Sequence, residues 1–225
     1  MRYPCGRILI FAKAPMPGRV KTRLAATLGE EEAARLYSAM VRHAVKTATA
    51  VELAPVRLYV EGTGHPLFGE LKERFAISLL EQKGEDLGAR MDRALREALR
   101  DADYAVLIGC DWPMVDGDYL ERALTLLAEG AEVVLGPAED GGYVLIGLRQ
   151  PQPRLFAAIP WGTPEVLTAT RTRCQELGIE PQELQSRYDI DTEADMRRFR
   201  GEEPERARQL FSRAGEFKDD TEAGG

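Results

Sequence analysis

The stretch Arg7-Ile-Leu-Ile-Phe-Ala-Lys-Ala-Pro-Met-Pro-Gly-Arg-Val-Lys-Thr-Arg-Leu24 decides the fold class. It opens on an unbroken apolar run, short and without alternation, which reads as a buried strand over Arg7 to Ala12. Two prolines and a glycine follow, so Lys13 to Arg23 reads as a loop. That loop carries Lys13, Arg19, Lys21 and Arg23 and no acid. In open α/β sheets, ligands gather at the carboxyl ends of the strands, and a cationic loop leaving a buried strand is suited to an anion there.

Working outward, helix and strand signals alternate. Glu30 to Val51 is predicted as a long helix, with Leu36, Met40, Ala44 and Ala48 on one apolar face. Strands are predicted at Val56 to Val60 and Phe75 to Leu80, around a short helix at Pro66 to Arg74. Leu87 to Arg100 carries Leu87, Met91, Leu95 and Leu99 in one helical stripe. A strand at Tyr104 to Ile108, a helix at Tyr119 to Leu127, strands at Val133 to Gly136 and Tyr143 to Leu148, and helices at Pro164 to Leu177 and Ala194 to Phe199 complete the reading. This alternation implies an α/β fold with a mainly parallel sheet. No linker divides the chain, so one domain is expected over 1–211, with a frayed polar tail over 212–225.

Composition narrows the function classes. The chain has 225 residues, of which 44% are hydrophobic and 30% charged, which excludes global disorder. Its net charge of −7 argues against nucleic acid or an anionic membrane as partner. Two histidines, His43 and His65, exclude a His-rich metal site. Cys5, Cys110 and Cys174 are scattered, with no Cys-x-x-Cys, so neither a disulfide framework nor a zinc site is expected, and a reducing cytoplasm fits. The apolar run near the start is too short for a secretory signal or a membrane span. The charge is unevenly placed. The first 29 residues carry six cations and no acid, whereas Gly109 to Gly142 carries eight acids and one arginine.

The segments after the strands supply the candidate chemistry. Gly18 allows close backbone approach to a polyphosphate gripped by Lys13, Arg19, Lys21 and Arg23, with the Thr22 hydroxyl beside them; the spacing is not that of a Walker A loop. Asp111 ends an apolar strand and is either a Mg²⁺ ligand, since hard cations take oxygen ligands and substrate phosphates, or a helix cap. Asp189 and Asp191 alternate, so an extended segment would present both on one side; Asp191 or Thr192 is equally able to cap the following helix. Glu139-Asp-Gly-Gly-Tyr143 is a turn signal that also brings Asp140, Gly142 and Tyr143 to the same edge. Gln82 to Gly88 follows the third strand. Cys110 has no histidine to activate it, and His43 has no visible partner, so both read as packing residues. Trp161 lines a pocket or anchors a loop.

Four motifs carry a family resemblance: Phe11 to Leu24 above, Gly84-Glu-Asp-Leu-Gly-Ala-Arg-Met91, Ile108-Gly-Cys-Asp-Trp-Pro113 and Glu139-Asp-Gly-Gly-Tyr-Val-Leu-Ile-Gly-Leu148. Together they resemble the GT-A-like nucleotide-diphospho-sugar transferase superfamily. More narrowly, the chain is similar to a bacterial glycosyltransferase A family with a domain of unknown function, some members of which are named for arsenosugar biosynthesis. Asp189-Ile-Asp-Thr-Glu-Ala-Asp-Met196 is similar to the closing motif of nucleotidyltransferases that make CMP-sugars.

The resemblance implies a three-layer α/β/α fold of GT-A type. It implies Mg²⁺ or Mn²⁺ held by Asp111 and Asp191. Lys13, Gly18, Arg19, Lys21, Thr22 and Arg23 would lie at the nucleotide phosphates, Gly84 and Asp86 near base and ribose, and Gly142 and Tyr143 further along the site. Asp111, Lys21 and Asp140 are the expected catalytic residues. Two departures stand out. Trp112 occupies a position more often filled by a small residue, and Pro113 breaks the Asp-x-Asp pair of many glycosyltransferases. The partners implied are a nucleotide or nucleotide-sugar and a small acceptor. Glycosyl transfer is the first expectation, with nucleotidyl transfer and release of pyrophosphate as the alternative, and nucleotide binding without catalysis as the third.

Overall fold

The computed structural model describes residues 1–50 and 52–211. Seven strands form one sheet in the order β3-β2-β1-β4-β6-β5-β7. They are β1 (Gly6–Lys13), β2 (Val56–Glu61), β3 (Ile77–Glu81), β4 (Tyr104–Gly109), β5 (Val133–Pro137), β6 (Tyr143–Leu148) and β7 (Gln182–Glu183). Every pairing is parallel except those of β6, which runs against both β4 and β5. The carboxyl ends of β1, β3, β4 and β5 and the amino end of β6 therefore share one edge.

Burial on both faces explains the unbroken apolar run of β1. Ile8, Ile10 and Ala12 pack into one core and Leu9 and Phe11 into a second, on the opposite face. The first core is covered by α1 (Thr22–Leu28), α2 (Glu30–Ala50), α3 (Pro66–Arg74), α5 (Gly117–Ala128), α7 (Glu193–Glu202) and α8 (Pro204–Phe211). The second is covered by α4 (Leu87–Ala98), α6 (Val166–Glu176) and a 3₁₀ turn at Pro153–Phe156. The result is three layers, α/β/α, as expected. The stripe Leu36, Met40, Ala44 and Ala48 of α2 is fully buried, so its periodicity reports the core-facing side.

Polar caps set the helix starts. The Leu67 N–H donates to His65 at α3, and Asp86 accepts from the Ala89 N–H at α4. Asp116 accepts from the Tyr119 N–H at α5. Thr192 caps α7 in a capping box with Asp195, so the cap there is Thr192 and not Asp191. Asp111 caps no helix, since α5 begins at its own cap five residues on.

Four elements were not read from the sequence, among them the 3₁₀ turn at Pro153–Phe156. Helix α1 starts at Thr22, inside the segment read as loop, once Pro15, Pro17 and Gly18 are past. Strand β7 has two residues, too few for any periodicity. Helix α8 buries only Ala207 and Leu210. The tail expected over 212–225 lies outside the described residues.

Candidate functional site

A cleft of about 760 Å³ runs along the shared strand edge. It collects Lys13, Arg19, Lys21, Thr22 and Arg23 from the β1–α1 segment, Asp111 after β4, Asp140, Gly142 and Tyr143 from the β5–β6 turn, and Asp191 before α7. Three predicted residues do not line it. Asp86 is the α4 cap, with the Ala89 N–H donating to its carboxylate at 2.7 Å. Gly84 lies under the start of α4, where a Cβ would come within 2.6 Å of the Arg90 backbone nitrogen. Gly18 turns the β1–α1 loop with φ +75° and rests near the Glu30 carboxylate.

Lys21 is the pivot of the cleft. It precedes α1 in the left-handed conformation, φ 48° and ψ 44°. This directs a side chain only 2% exposed between two carboxylates, 2.6 Å from Asp111 and 2.8 Å from Asp191. Burial pulls its ammonium pKa down, but the two aspartates outweigh that and leave the pKa raised. Asp111 and Asp191 remain half-exposed and open to the cleft. Lys13, Arg19 and Arg23 also line it, and among the described residues none of these three has a carboxylate partner.

Sequence-distant segments are clamped to bring the acids together. The Ile190 N–H donates to the Asp111 carbonyl at 3.1 Å, and the Glu139 N–H to the Arg187 carbonyl at 2.8 Å. Arg198 of α7 grips Glu139 with two hydrogen bonds, 2.7 and 3.1 Å, and lies 3.8 Å over the Tyr188 ring. The extended segment 187–191 is thereby held against the ends of both β4 and β5. Asp189, noticed in the sequence only for its alternation with Asp191, joins the cleft. Burial, followed by the charge of Asp111, pushes its carboxyl up to about 7. Lys21 opposes this shift, and Asp191 and Asp140 add to it.

Sequence reasoning left other lining residues unassigned. Gln82 donates its amide N–H groups to the Ala12 and Tyr59 carbonyls at 3.0 and 3.1 Å, tying the ends of β1 and β2. Its only signal was its position directly after a strand. Trp161 both lines the cleft and meets Tyr143 edge to face, with ring centroids 6.3 Å apart. Trp112 is 1% exposed and packs edge to face on Tyr119, with ring centroids 4.8 Å apart. Cys110 is buried, and burial pushes its thiol pKa well up, which removes it as a nucleophile. His43 lies outside the cleft.

The donor set fits a magnesium-like ion of one kind. Among the described residues, no three His, Cys, Asp or Glu side chains are arranged to hold a metal by themselves. Mg²⁺ commonly takes one or two carboxylates and fills its shell from substrate phosphates and water. Asp111 and Asp191 could offer that pair; Asp189 is raised first by burial and then by the charge of Asp111, and an added cation would offset the second of these.

A mainly parallel sheet in this strand order, with cations after β1 and acids after β4 and β5, defines the class: the fold is that of the nucleotide-diphospho-sugar transferases. A family profile described as an uncharacterized protein conserved in bacteria (DUF2064) matches residues 44–163, and the chain belongs to this family. A crystal structure from Desulfovibrio desulfuricans G20, of a protein provisionally named a nucleotide-diphospho-sugar transferase, is 30% identical. It aligns with TM-score 0.82 over 92% of this chain and 93% of that one. CMP:2-keto-3-deoxy-manno-octonic acid synthetase complexed with CTP shares the fold at 14% identity and TM-score 0.58, over 87% and 97% of the two chains. A nucleotidyl transferase from Methanothermobacter shares it at 15% identity and TM-score 0.56, over 88% and 97%. No curated protein matches the chain. Among the described residues, no helix is long and apolar enough to cross a membrane.

Proposed function

We propose that the protein is a transferase that takes a nucleotide-diphospho-sugar, with Mg²⁺ or Mn²⁺, and passes the sugar to a small acceptor. One observation carries this reading: the Lys21 bridge between Asp111 and Asp191, set beside three cations that have no carboxylate partner among the described residues, in one cleft at the carboxyl edge of the sheet. Lys13, Arg19 and Arg23 grip the diphosphate; three such positive charges suit a nucleoside diphosphate leaving group. Lys21 holds Asp111 and Asp191 in register, and these two aspartates hold the divalent ion. When bound, that ion offsets the negative charge developing on the departing diphosphate.

The acceptor hydroxyl oxygen forms the new bond to the sugar C1. The bond from C1 to the diphosphate breaks, and its electron pair leaves with the nucleoside diphosphate. The hydroxyl proton passes to Asp140. One Asp140 oxygen is held by the Gly142 N–H at 2.9 Å, which orients the carboxylate on its exposed turn.

The cation-rich wall also favours a second reading, in which a nucleoside triphosphate reacts at its α-phosphorus with a phosphorylated substrate. A panel of nucleoside triphosphates and nucleotide-sugars with Mg²⁺ separates the readings. Nucleoside diphosphate release is the expected result. Pyrophosphate release would establish nucleotidyl transfer instead, and binding without turnover would leave a nucleotide-binding protein. Asp111→Ala should stay folded and lose Mg²⁺-dependent nucleotide binding.

A further inference from the structure

The two sides of the cleft differ because different elements cover the two faces of the sheet. The side of α1 and α2 presents Lys13, Arg19, Lys21 and Arg23. The side of α4 and the segment 157–164 presents Phe11, Leu87, Met91, Leu107, Tyr143 and Trp161. The segment from Ala157 to Pro164 contains no charged residue. Among the described residues that line the cleft, the cation on this side is Arg90, which is bound to Glu61 at 2.7 Å and turned toward the Gly84 carbonyl at 3.3 Å. Leu87, on the rim, is 44% exposed, an unusual position for leucine at the mouth of a polar site.

This apolar side is rigidly built. Trp161 seats its indole against Gly88, where a Cβ would lie 2.5 Å from its ring nitrogen, so the glycine is what admits the ring. The segment is folded on itself by the Trp161 N–H to the Ile159 carbonyl at 2.9 Å and by the Thr163 hydroxyl to the Pro160 carbonyl at 2.8 Å. Ala158 and Gly162 take positive φ, 55° and 81°. The Leu167 N–H then ties the following helix to the Gly141 carbonyl at 2.8 Å. Trp161 and Tyr143 are thus fixed directly beside the turn that carries Asp140.

We infer that this wall receives the acceptor, and that the acceptor is a neutral, hydroxyl-bearing ring, a sugar or an aromatic alcohol, and not a phosphorylated compound. The inference rests on the nucleotide-sugar reading above. Aromatic faces are electron-rich and attract the C–H face of a saturated ring or the edge of an aromatic one, with no charge needed. A phosphate placed here would lie beside the turn that carries the Asp140 carboxylate. The unpaired cations are on the opposite side, taken up by the donor. Preorganised aromatic contacts also spare the acceptor the cost of ordering its own pocket.

The test uses the protein's two tryptophans. Trp112 is buried and Trp161 is partly exposed, so ligand-dependent quenching reports on Trp161. The whole chain is titrated in Mg²⁺ with the nucleoside diphosphate that binds tightest in the panel, and then with matched pairs of neutral sugars or phenols and their phosphate esters. Quenching by neutral members, with each ester binding at least tenfold more weakly, is the expected result. In isothermal titration calorimetry, which does not need the indole that the variants lack, Trp161→Ala should weaken the neutral ligand about tenfold, Trp161→Phe should restore most of it, and nucleotide affinity should be unchanged in both. The inference is overturned if the esters bind as well as the neutral compounds, if no pair binds while the nucleotide does, or if Trp161→Ala weakens the nucleotide instead, which would give the wall to the base. If wild-type protein binds no nucleotide, the underlying transferase reading fails, and the inference falls with it.

Discussion

Replacing Lys21 with methionine removes the ammonium between Asp111 and Asp191 while keeping the length of the side chain. The two contacts, at 2.6 and 2.8 Å, are each worth about 6 kcal/mol in gross Coulomb energy at an effective dielectric constant of about 20. Desolvating the ammonium returns much of that gain. Truncating one partner of a fully buried pair costs roughly 3–5 kcal/mol, but the aspartates are half-exposed and can rehydrate, so the expected loss is about 2 kcal/mol. For a chain of this size that is a fall of about 4–8 °C in Tm. Because the Lys21 pKa is raised, its stabilisation is fully present below the unfolded value near 10.5 and is lost only as pH rises through the folded one. The deficit should therefore be complete at pH 7.5. Thermal melts of wild type and Lys21→Met at pH 7.5, with and without MgCl₂, test this. Mg²⁺ should raise the Tm of the variant more than that of the wild type, because the ion takes the position the ammonium leaves. A loss below about 0.5 kcal/mol, or equal Mg²⁺ responses, would refute the reasoning.

Two further outcomes follow from the geometry. Gly141→Ala places a Cβ against the Pro164 carbonyl at φ +90°, so it should cost at least about 2 kcal/mol in urea melts, and a neutral result would show that the turn yields easily. Asp189→Asn concerns pH. A carboxyl raised to about 7 favours its protonated form in the folded state, so it contributes stability below the unfolded value of 3.8 that is lost as pH rises toward about 7. The Tm of the variant relative to wild type, without divalent ions, should thus be higher at pH 8 than at pH 4.5; a constant difference would remove the strain assigned to Asp189.

What the sequence disclosed was what local pattern controls. The β1 run, the α2 stripe and the strand-to-helix alternation announce a doubly covered sheet, because burial writes its period directly into the chain. Lys13, Arg19, Lys21, Arg23, Asp111 and Asp140 could be placed at one edge, because strand ends share an edge in such sheets, whereas Asp191 was drawn to the site only by the family resemblance. The rest depends on partners far along the chain. The Asp191 alternatives are separated by the Thr192 cap and by Lys21. Asp189 owes its raised pKa first to burial and then to the charge of Asp111, a residue 78 positions earlier that no local pattern connects to it. Trp161 is positioned by the absence of a side chain at Gly88, which no spacing rule reveals. Helix α1 was hidden because proline and glycine signals immediately precede it.

Lys21 and Asp191 lie 170 residues apart in a chain of 225, so their contact closes most of the chain into a ring. Loop-closure entropy disfavours early formation of so long a loop, which makes this pairing a late event in folding. The same span makes the site a clasp. A ligand that bridges the β1–α1 loop and the segment before α7 resists the parting of the two ends of the domain. Its protection in amide exchange should then extend across the sheet, as slower global opening, beyond the loops it touches.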